Sequence, residues 1–321
     1  IVATGRVIGQ DENTLHVPGT LAIDAAAITA DSGAQQYFDA SGAVNLTSNG
    51  GADALAARST FGATLGFTGA DILNEGEIIL TGGTVSMRAR TGDVLLQGGS
   101  VDVTSDQVQI YDKLVGVGAG NISLIADQGN VDVQSGARLD VSGGETGGDA
   151  GALTLTAGLG NILLNGDISG NAAAGSRSGS LRMTSRTLGD FGGFNARLDA
   201  GGFRQSRYFE INEGDIAIGT DVAVQDFTVV ANDGSITLSG TVETPGANGG
   251  RVQLSAARDV TLTGSARVLA RANAAGGAGG TVFLETVGLG GGAIDVAPGA
   301  LIDVSGSGEG GRSVRLRAPQ I

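Results

Sequence analysis

The chain contains no cysteine and no tryptophan, and it has one histidine and 4 prolines in 321 residues. Without cysteine there is neither a disulfide framework nor thiolate chemistry. Serine–histidine–aspartate catalysis would have to use His16, and a metal site built from several histidines cannot form within one chain. We therefore interpret His16 as a structural or surface residue, and we predict no cofactor and no metal site.

Positive charge is also scarce. The formal net charge is −14, Lys113 is the single lysine, and the arginines are scattered. Nucleic-acid-binding proteins need a basic patch or stripe, so nucleic acid is not a predicted partner. No uninterrupted apolar stretch is long enough to span a bilayer, and we predict that the chain does not cross a membrane.

Glycine, by contrast, is abundant, with 58 residues. Gly306, Gly308 and Gly311 match the GxGxxG spacing of dinucleotide-binding loops, directly after the apparent strand LIDVS. That fingerprint requires a strand before it and a helix after it. Here the following segment, RSVRLRA, alternates like another strand, and so many glycines make a chance match expected. We interpret the match as an accident of composition.

Short alternating segments recur along the chain in groups of three. One such group is ISL at Ile122, VDV at Val131 and RLDV at Arg138. Alternation places Val and Leu on one face and Asp or Thr on the other, as in a half-buried strand. The glycine-rich joints lie between groups, as in SGGETGGDAGA at Ser142. Strands this short bury a face only by stacking, so the repeat predicts an all-β fold, a parallel β-helix or β-solenoid with three short strands per coil.

The pattern is uneven along the chain. Residues 84–321 read as continuous coils, whereas residues 1–83 read as less regular coils with an insertion within 45–83. No sustained helical stripe is visible, so no helix is predicted. Positive φ angles are expected at corners such as Gly129–Asn130 and Asp233–Gly234. Because the chain starts and stops in mid-pattern, we expect it to be a fragment of a much longer protein.

Recurring aspartates raise the question of catalysis, since many β-helix proteins act on polysaccharides. Five of them occupy strand positions expected to point outwards: Asp102, Asp132, Asp140, Asp295 and Asp303. An enzyme needs converging carboxylates, one with a pKa raised by burial. Acids that recur once per coil are typical of a solvated face, so we predict that the chain is not an enzyme.

The segment 186–210 is a local anomaly, because it concentrates aromatic residues and arginines. One interpretation is a protruding loop that contacts a ligand or another subunit. The alternative is a longer coil whose aromatic side chains fill a wider core. The candidate contact residues are Phe191, Phe194, Phe203, Arg204, Arg207 and Tyr208.

Several stretches of the chain resemble the filamentous-haemagglutinin-like exoproteins of two-partner secretion. They include GNISLIADQGNVDV at Gly120, ANDGSITLSGTVET at Ala231 and GALIDVSGSGEGGRSVRLRAP at Gly299. The resemblance covers about residues 84 to 321. It implies a right-handed β-helix, secreted across the outer membrane and displayed at the cell surface as an adhesive or structural fibre.

We also predict partners. Unpaired strands at the ends of a solenoid favour other copies of the chain or flanking coils of the same chain. The aromatic residues and arginines of segment 186–210 favour host or matrix glycans. The alternative function is a carbohydrate-binding or polysaccharide-cleaving β-helix that uses segment 186–210.

Overall fold

The computed structural model describes residues 1–50, 60–105, 107–145, 147–288 and 292–319. Contacts divide the chain into two compact units. The first is Ile1–Leu181 with Ala200–Phe203, and the second is Arg182–Asp199 with Arg204–Ile321. Part of the predicted insertion, residues 51–59, lies outside the described residues. The boundary predicted after residue 83 stays a prediction.

The first unit is built of short strands. They are β1 (Arg6–Gly9), β2 (Glu12–Val17), β3 (Leu21–Ala25), β4 (Ala27–Ala30), β5 (Gln35–Ala40), β6 (Val44–Ser48), β7 (Thr64–Gly69), β8 (Ile72–Glu75), β9 (Glu77–Ile79), β10 (Thr84–Ala89), β11 (Val94–Leu96), β12 (Ser100–Asp102), β13 (Gln107–Ile110), β14 (Lys113–Gly116), β15 (Asn121–Ala126), β16 (Val131–Val133), β17 (Arg138–Asp140), β18 (Ala152–Ala157), β19 (Ile162–Leu164) and β20 (Asp167–Ser169).

All but β13 and β14 join three parallel sheets. Strands β2, β5, β7, β10, β15 and β18 are each six residues long and pair in that order, and we refer to them as the first long-strand sheet. The second sheet contains β3, β6, β8, β11, β16 and β19, and the third contains β1, β4, β9, β12, β17 and β20. Equivalent strands pair in register, so that Val85 lies beside Leu65 and Ile122.

Alternation explains the core of this unit. In β15, Ile122, Leu124 and Ala126 are buried, and the residues between them are not. Inward side chains at equivalent positions therefore stack on one another from strand to strand. Phe38 and Phe67, for example, lie with ring centroids 5.1 Å apart and nearly parallel. Small apolar side chains suit a core formed by such thin layers.

Strands β13 and β14 depart from the parallel pattern. They pair antiparallel as a hairpin between β12 and β15, within the stretch that the sequence predicts to be continuous coils. Tyr111 at the turn has a φ of 55° and is 95% exposed.

The second unit contains one helix and further strands, and β21 (Ser180–Ser185) contributes residues to both units. The remaining elements are α1 (Phe191–Ala200), β22 (Ser206–Ile211), β23 (Ile216–Ile218), β24 (Val222–Ala223), β25 (Asp226–Ala231), β26 (Ile236–Leu238), β27 (Thr241–Glu243), β28 (Arg251–Ala256), β29 (Val260–Leu262), β30 (Arg267–Leu269), β31 (Thr281–Thr286), β32 (Ile294–Val296), β33 (Leu301–Asp303) and β34 (Ser313–Arg317).

These strands again pair in parallel. The long strands β22, β25, β28, β31 and β34 pair in that order, and we refer to them as the second long-strand sheet. Two four-stranded sheets contain β23, β26, β29, β32 and β24, β27, β30, β33. The described chain is therefore all-β with large parallel sheets, which confirms the predicted class at that level and is compatible with a β-solenoid.

The prediction that no helix forms is wrong over Phe191–Ala200. The Asp190 carboxylate accepts a hydrogen bond from the Gly193 amide at 2.9 Å, which caps the first turn. Buried Phe191, Phe194 and Leu198 then recur at three- and four-residue spacing. This stripe is only ten residues long and contains two glycines, so its period is easily overlooked.

The predicted reason for glycine at the corners is also wrong. Neither Gly129–Asn130 nor Asp233–Gly234 has a positive φ. Instead, a Cβ at Gly129 would lie 2.3 Å from the Gly92 carbonyl oxygen, and one at Gly234 would lie 2.0 Å from that of Gly214. Glycine is required there because the backbones of neighbouring corners approach closely.

Polar side chains link equivalent corners. The Asp93 carboxylate accepts a hydrogen bond from the Asn130 amide at 2.6 Å, and the Asn130 side-chain oxygen accepts one from the Asn161 amide at 2.8 Å. In the second unit, Asp215 accepts one from the Ser235 amide at 2.8 Å. These bonds satisfy corner amides that the sheets leave unpaired.

Candidate functional site

The six residues predicted to contact a ligand or subunit lie in different environments. Phe191, Phe194, Phe203 and Arg207 are buried, Tyr208 is half-buried and Arg204 is exposed. Phe191 and Phe194 lie on α1, whereas Arg207 and Tyr208 lie on β22.

Phe191 and Phe194 belong to an aromatic cluster. The Phe191 ring lies 5.4 Å from that of Phe209 and 6.2 Å from that of Phe227, and the Phe194 ring lies 5.9 Å from that of Phe209. Tilted and edge-to-face contacts of this kind stabilise aromatic cores. Phe203 is also buried, and its ring would lie 3.1 Å from a Cβ placed at Gly170. These three rings have almost no exposed surface for a ligand, and their positions match the core-filling alternative.

Arg207 occupies an inward position on β22, alternating with buried Phe209 and Ile211. Its guanidinium donates to the Asn195 side-chain oxygen at 2.5 Å and to the Asp199 carboxylate at 2.6 Å, both on α1. Burial lowers the pKa of Arg207, and the hydrogen bond and charge of Asp199 oppose this effect. Arg207 therefore connects the strand to the helix rather than presenting its charge to a ligand.

Asn195 and Asp199 are hydrogen-bond partners of Arg207 that were not predicted from the sequence. They stand four residues apart, so they share one face of α1. Asn195 also donates to the Asp199 carboxylate at 3.1 Å and to the Asp221 carbonyl oxygen at 3.0 Å. The sequence does contain a signal for this site. An amide (Asn195) and a carboxylate (Asp199) stand four residues apart, and an arginine (Arg207) occupies a position in the following strand where an apolar core residue is expected.

Tyr208 points away from the core of β22 and takes part in a surface network. The guanidinium carbon of Arg182 lies 3.9 Å from the centroid of its ring, and its hydroxyl donates to the Glu210 carboxylate at 3.3 Å. Asn232 donates to the same carboxylate at 3.2 Å. Burial, with the negative charge of Glu210, raises the pKa of Tyr208. This network lies at the surface, where a ligand can reach it, and so does the exposed Arg204.

A second polar group surrounds His16, whose side chain is 74% exposed. Its Nδ1 lies 3.2 Å from the Asp39 carboxylate, which also forms a close ion pair with Arg90. Arg90, through its hydrogen bond and charge, holds the pKa of Asp39 below its usual value. The group lines a depression of about 350 Å³ together with Val17, Pro18 and Ser41. Because Arg90 neutralises Asp39, the carboxylate orients the imidazole but is not poised to take a proton.

The recurring aspartates have a structural role at strand ends. Asp102, Asp140 and Asp303 each accept a hydrogen bond from the backbone amide two residues later, all at 2.9 Å. The expectation that every one of them points into solvent is wrong for Asp140, which is 4% exposed and pairs with Arg138 at 2.5 Å. The turn after the strand draws its carboxylate back onto the backbone.

No group of three or more histidine, aspartate and glutamate side chains that could hold a metal ion occurs in the described parts of the chain. The glycines of the GxGxxG match pack against the preceding joint. The Gly308 amide donates to the Gly277 carbonyl oxygen at 2.8 Å, and a Cβ at Gly308 would lie 2.2 Å from the Gly276 oxygen. These glycines allow two loops to stack.

Within the described ranges, no helix combines the length and the apolar character needed to cross a membrane. Comparison of the sequence and the structure with known proteins gave no matching family model, no matching curated protein and no matching solved structure.

Proposed function

We propose that the chain is a non-enzymatic structural or adhesive segment of a bacterial cell-surface or extracellular fibre. The observation that supports this most strongly is the in-register stacking of equivalent strands within parallel sheets in each unit. Repeats that contact mainly their neighbours extend in one dimension and offer long surfaces for attachment. Export and surface display follow only from the resemblance to filamentous-haemagglutinin-like exoproteins.

We propose the finer architecture, a right-handed β-helix with three strands per coil, on two grounds. Strands occur in threes, as β15, β16 and β17 do, and each member joins a different sheet. The chain then leaves β10 and returns to pair parallel with it at β15. Connections of this kind between parallel strands of one sheet are right-handed in about 98% of cases.

We propose a non-enzymatic role because the polar groups are already engaged in hydrogen bonds and ion pairs within the protein. The Asp102 and Asp303 carboxylates bind backbone amides, Asp39 pairs with Arg90, and Arg207 anchors α1. Groups engaged in this way stabilise corners and packing, and they are not free for acid–base chemistry.

Self-association is the second part of the proposal, because unpaired strand edges can template pairing with another chain. Electron microscopy of the purified chain over a range of concentrations tests it. We expect filaments that lengthen with concentration, and monomers alone at the highest concentration would contradict self-association.

Incubation with a panel of polysaccharides, followed by a reducing-end assay, tests the non-enzymatic role. Burial raises the pKa of Asp226, which makes its carboxyl the group to test as a catalytic acid. Release that is lost in Asp226→Asn would contradict the non-enzymatic role.

A further inference from the structure

The outer face of the second long-strand sheet carries residues in register. One outward row crosses the sheet in the order Tyr208, Thr228, Gln253, Phe283 and Arg315. A second row, two residues further along each strand, is Glu210, Val230, Ser255, Glu285 and Arg317. The alternating burial of β22, β25 and β28 places the members of the first row outside the core.

We call the strip of outer surface between the aromatic residues of β22 and β31 the trough, and it runs along the strands. Its two walls have the same make-up, an aromatic residue followed two positions later by glutamate, on β22 and on β31. Between them, β25 and β28 present smaller or more flexible side chains, including Thr228 and Gln253. The walls are three strand spacings apart, which corresponds to about 14 Å.

Both walls hold their glutamates in fixed positions. On β22, Glu210 accepts hydrogen bonds from Tyr208 and Asn232, with Arg182 at 3.9 Å. On β31, Glu285 accepts hydrogen bonds from Ser255 at 3.4 Å and from Arg317 at 2.7 Å. The β22 wall therefore presents an ordered carboxylate beside the half-buried Tyr208, whereas on the β31 wall Glu285 is buried and the half-buried ring of Phe283 is the group presented.

The floor is polar, and its charges are balanced. Arg251 donates a close hydrogen bond to the side-chain oxygen of Gln253 and stands next to Asp226 in register. Burial raises the pKa of Asp226, and the positive charge of Arg251 opposes that shift. Because each carboxylate of the trough has an arginine nearby, the trough offers hydrogen bonds without a strong net field of either sign.

We propose that this trough binds an extended neutral polysaccharide that lies parallel to the strands. Sugar rings present C–H faces that pack on the aromatic walls, and their hydroxyls donate to carboxylates and exchange hydrogen bonds with amide side chains. The balanced charge disfavours polyanions. The inference deepens the adhesive role of the proposed function, on which it rests, and it places the contact surface on the sheet rather than on α1.

Retention of the full chain on microcrystalline cellulose and chitin, together with a glycan array, tests the proposal. We expect binding by the unmodified chain to at least one neutral glycan. Tyr208→Ala and Phe283→Ala should each weaken the apparent affinity about tenfold, as expected when one aromatic contact is lost. Tyr37→Ala is the matched control, because Tyr37 holds the equivalent outward position on β5 of the first unit. We expect it to bind like the unmodified chain.

A variant that fills the trough distinguishes the loss of glycan contacts from the loss of folding. Thr228→Tyr adds a ring to the floor and removes nothing from the walls, so it should abolish retention while the circular dichroism spectrum and melting temperature stay close to the original. No retention on any neutral glycan, equal retention by both wall variants, or binding restricted to heparin or to proteins would overturn the proposal. Filaments without glycan binding would refute this inference alone, whereas glycan binding without filaments would refute only self-association.

Discussion

The group of strands β15, β16 and β17 and the segment formed by α1 and β22 build their cores in different ways. The first uses three short strands, small inward side chains and corner hydrogen bonds such as that from the Asn130 amide to Asp93. The second uses a ten-residue helix, an aromatic cluster and the buried Arg207. Beside α1, aromatic rings thus take the place of small inward side chains, and one polar anchor fixes the helix on the strand.

Removal of that anchor should have the largest effect. Arg207→Ala leaves the Asn195 oxygen without its donor and Asp199 without its cation, so we expect a loss of about 3 kcal/mol in the free energy of unfolding. Urea denaturation followed by circular dichroism measures it. Arg186→Ala, which breaks the exposed pair with Glu213, is the control and should cost less than about 1 kcal/mol. Equal effects would show that α1 does not depend on the buried ion pair.

Glycine replacements should sharpen the comparison, because glycine has opposite roles in the two regions. A Cβ at Gly129 would lie 2.3 Å from a backbone oxygen that cannot move away, so Gly129→Ala should cost about 3 kcal/mol. In α1, the nearest atom to a Cβ at Gly192 is the Thr220 methyl at 3.1 Å. Alanine favours a helix by about 1 kcal/mol, so Gly192→Ala should be neutral or slightly stabilising.

Thermal denaturation of the two variants measures this difference. A Gly192→Ala variant that is as unstable as Gly129→Ala would mean that α1 packs as tightly as the ordinary corners. A Gly129→Ala variant that melts like the unmodified chain would remove close backbone approach as the reason for glycine there.

The same contrast explains what the sequence could predict. Inward alternation, as at Ile122 and Leu124, is a local property and predicts the strands and the all-β class. The helix, by contrast, depends on Phe209 and Phe227, which come later in the chain and provide the apolar surface that its short stripe needs. The sequence shows that aromatic residues are concentrated in segment 186–210. It could not distinguish the buried Phe191 from the half-buried Tyr208, because burial depends on strands that come later in the chain.

The smallest expected effect is the loss of stability at acid pH that comes from Asp303, which lies at the end of a strand and away from α1. Hydrogen bonds from Ser305 lower the pKa of Asp303, so its carboxylate stabilises the folded state fully above its ordinary pKa. This contribution should be lost as the pH falls through the lowered folded-state pKa. NMR titration of the Asp303 carboxyl carbon measures the shift, and Ser305→Ala, which removes the hydroxyl but keeps the amide, should return the pKa part of the way upwards. The side chain is about a quarter exposed, so the change in stability should be well below 1 kcal/mol. An Asp303 pKa at or above its ordinary value would mean that this corner is held by its backbone alone, and the contrast with the charge-anchored helix would then be complete.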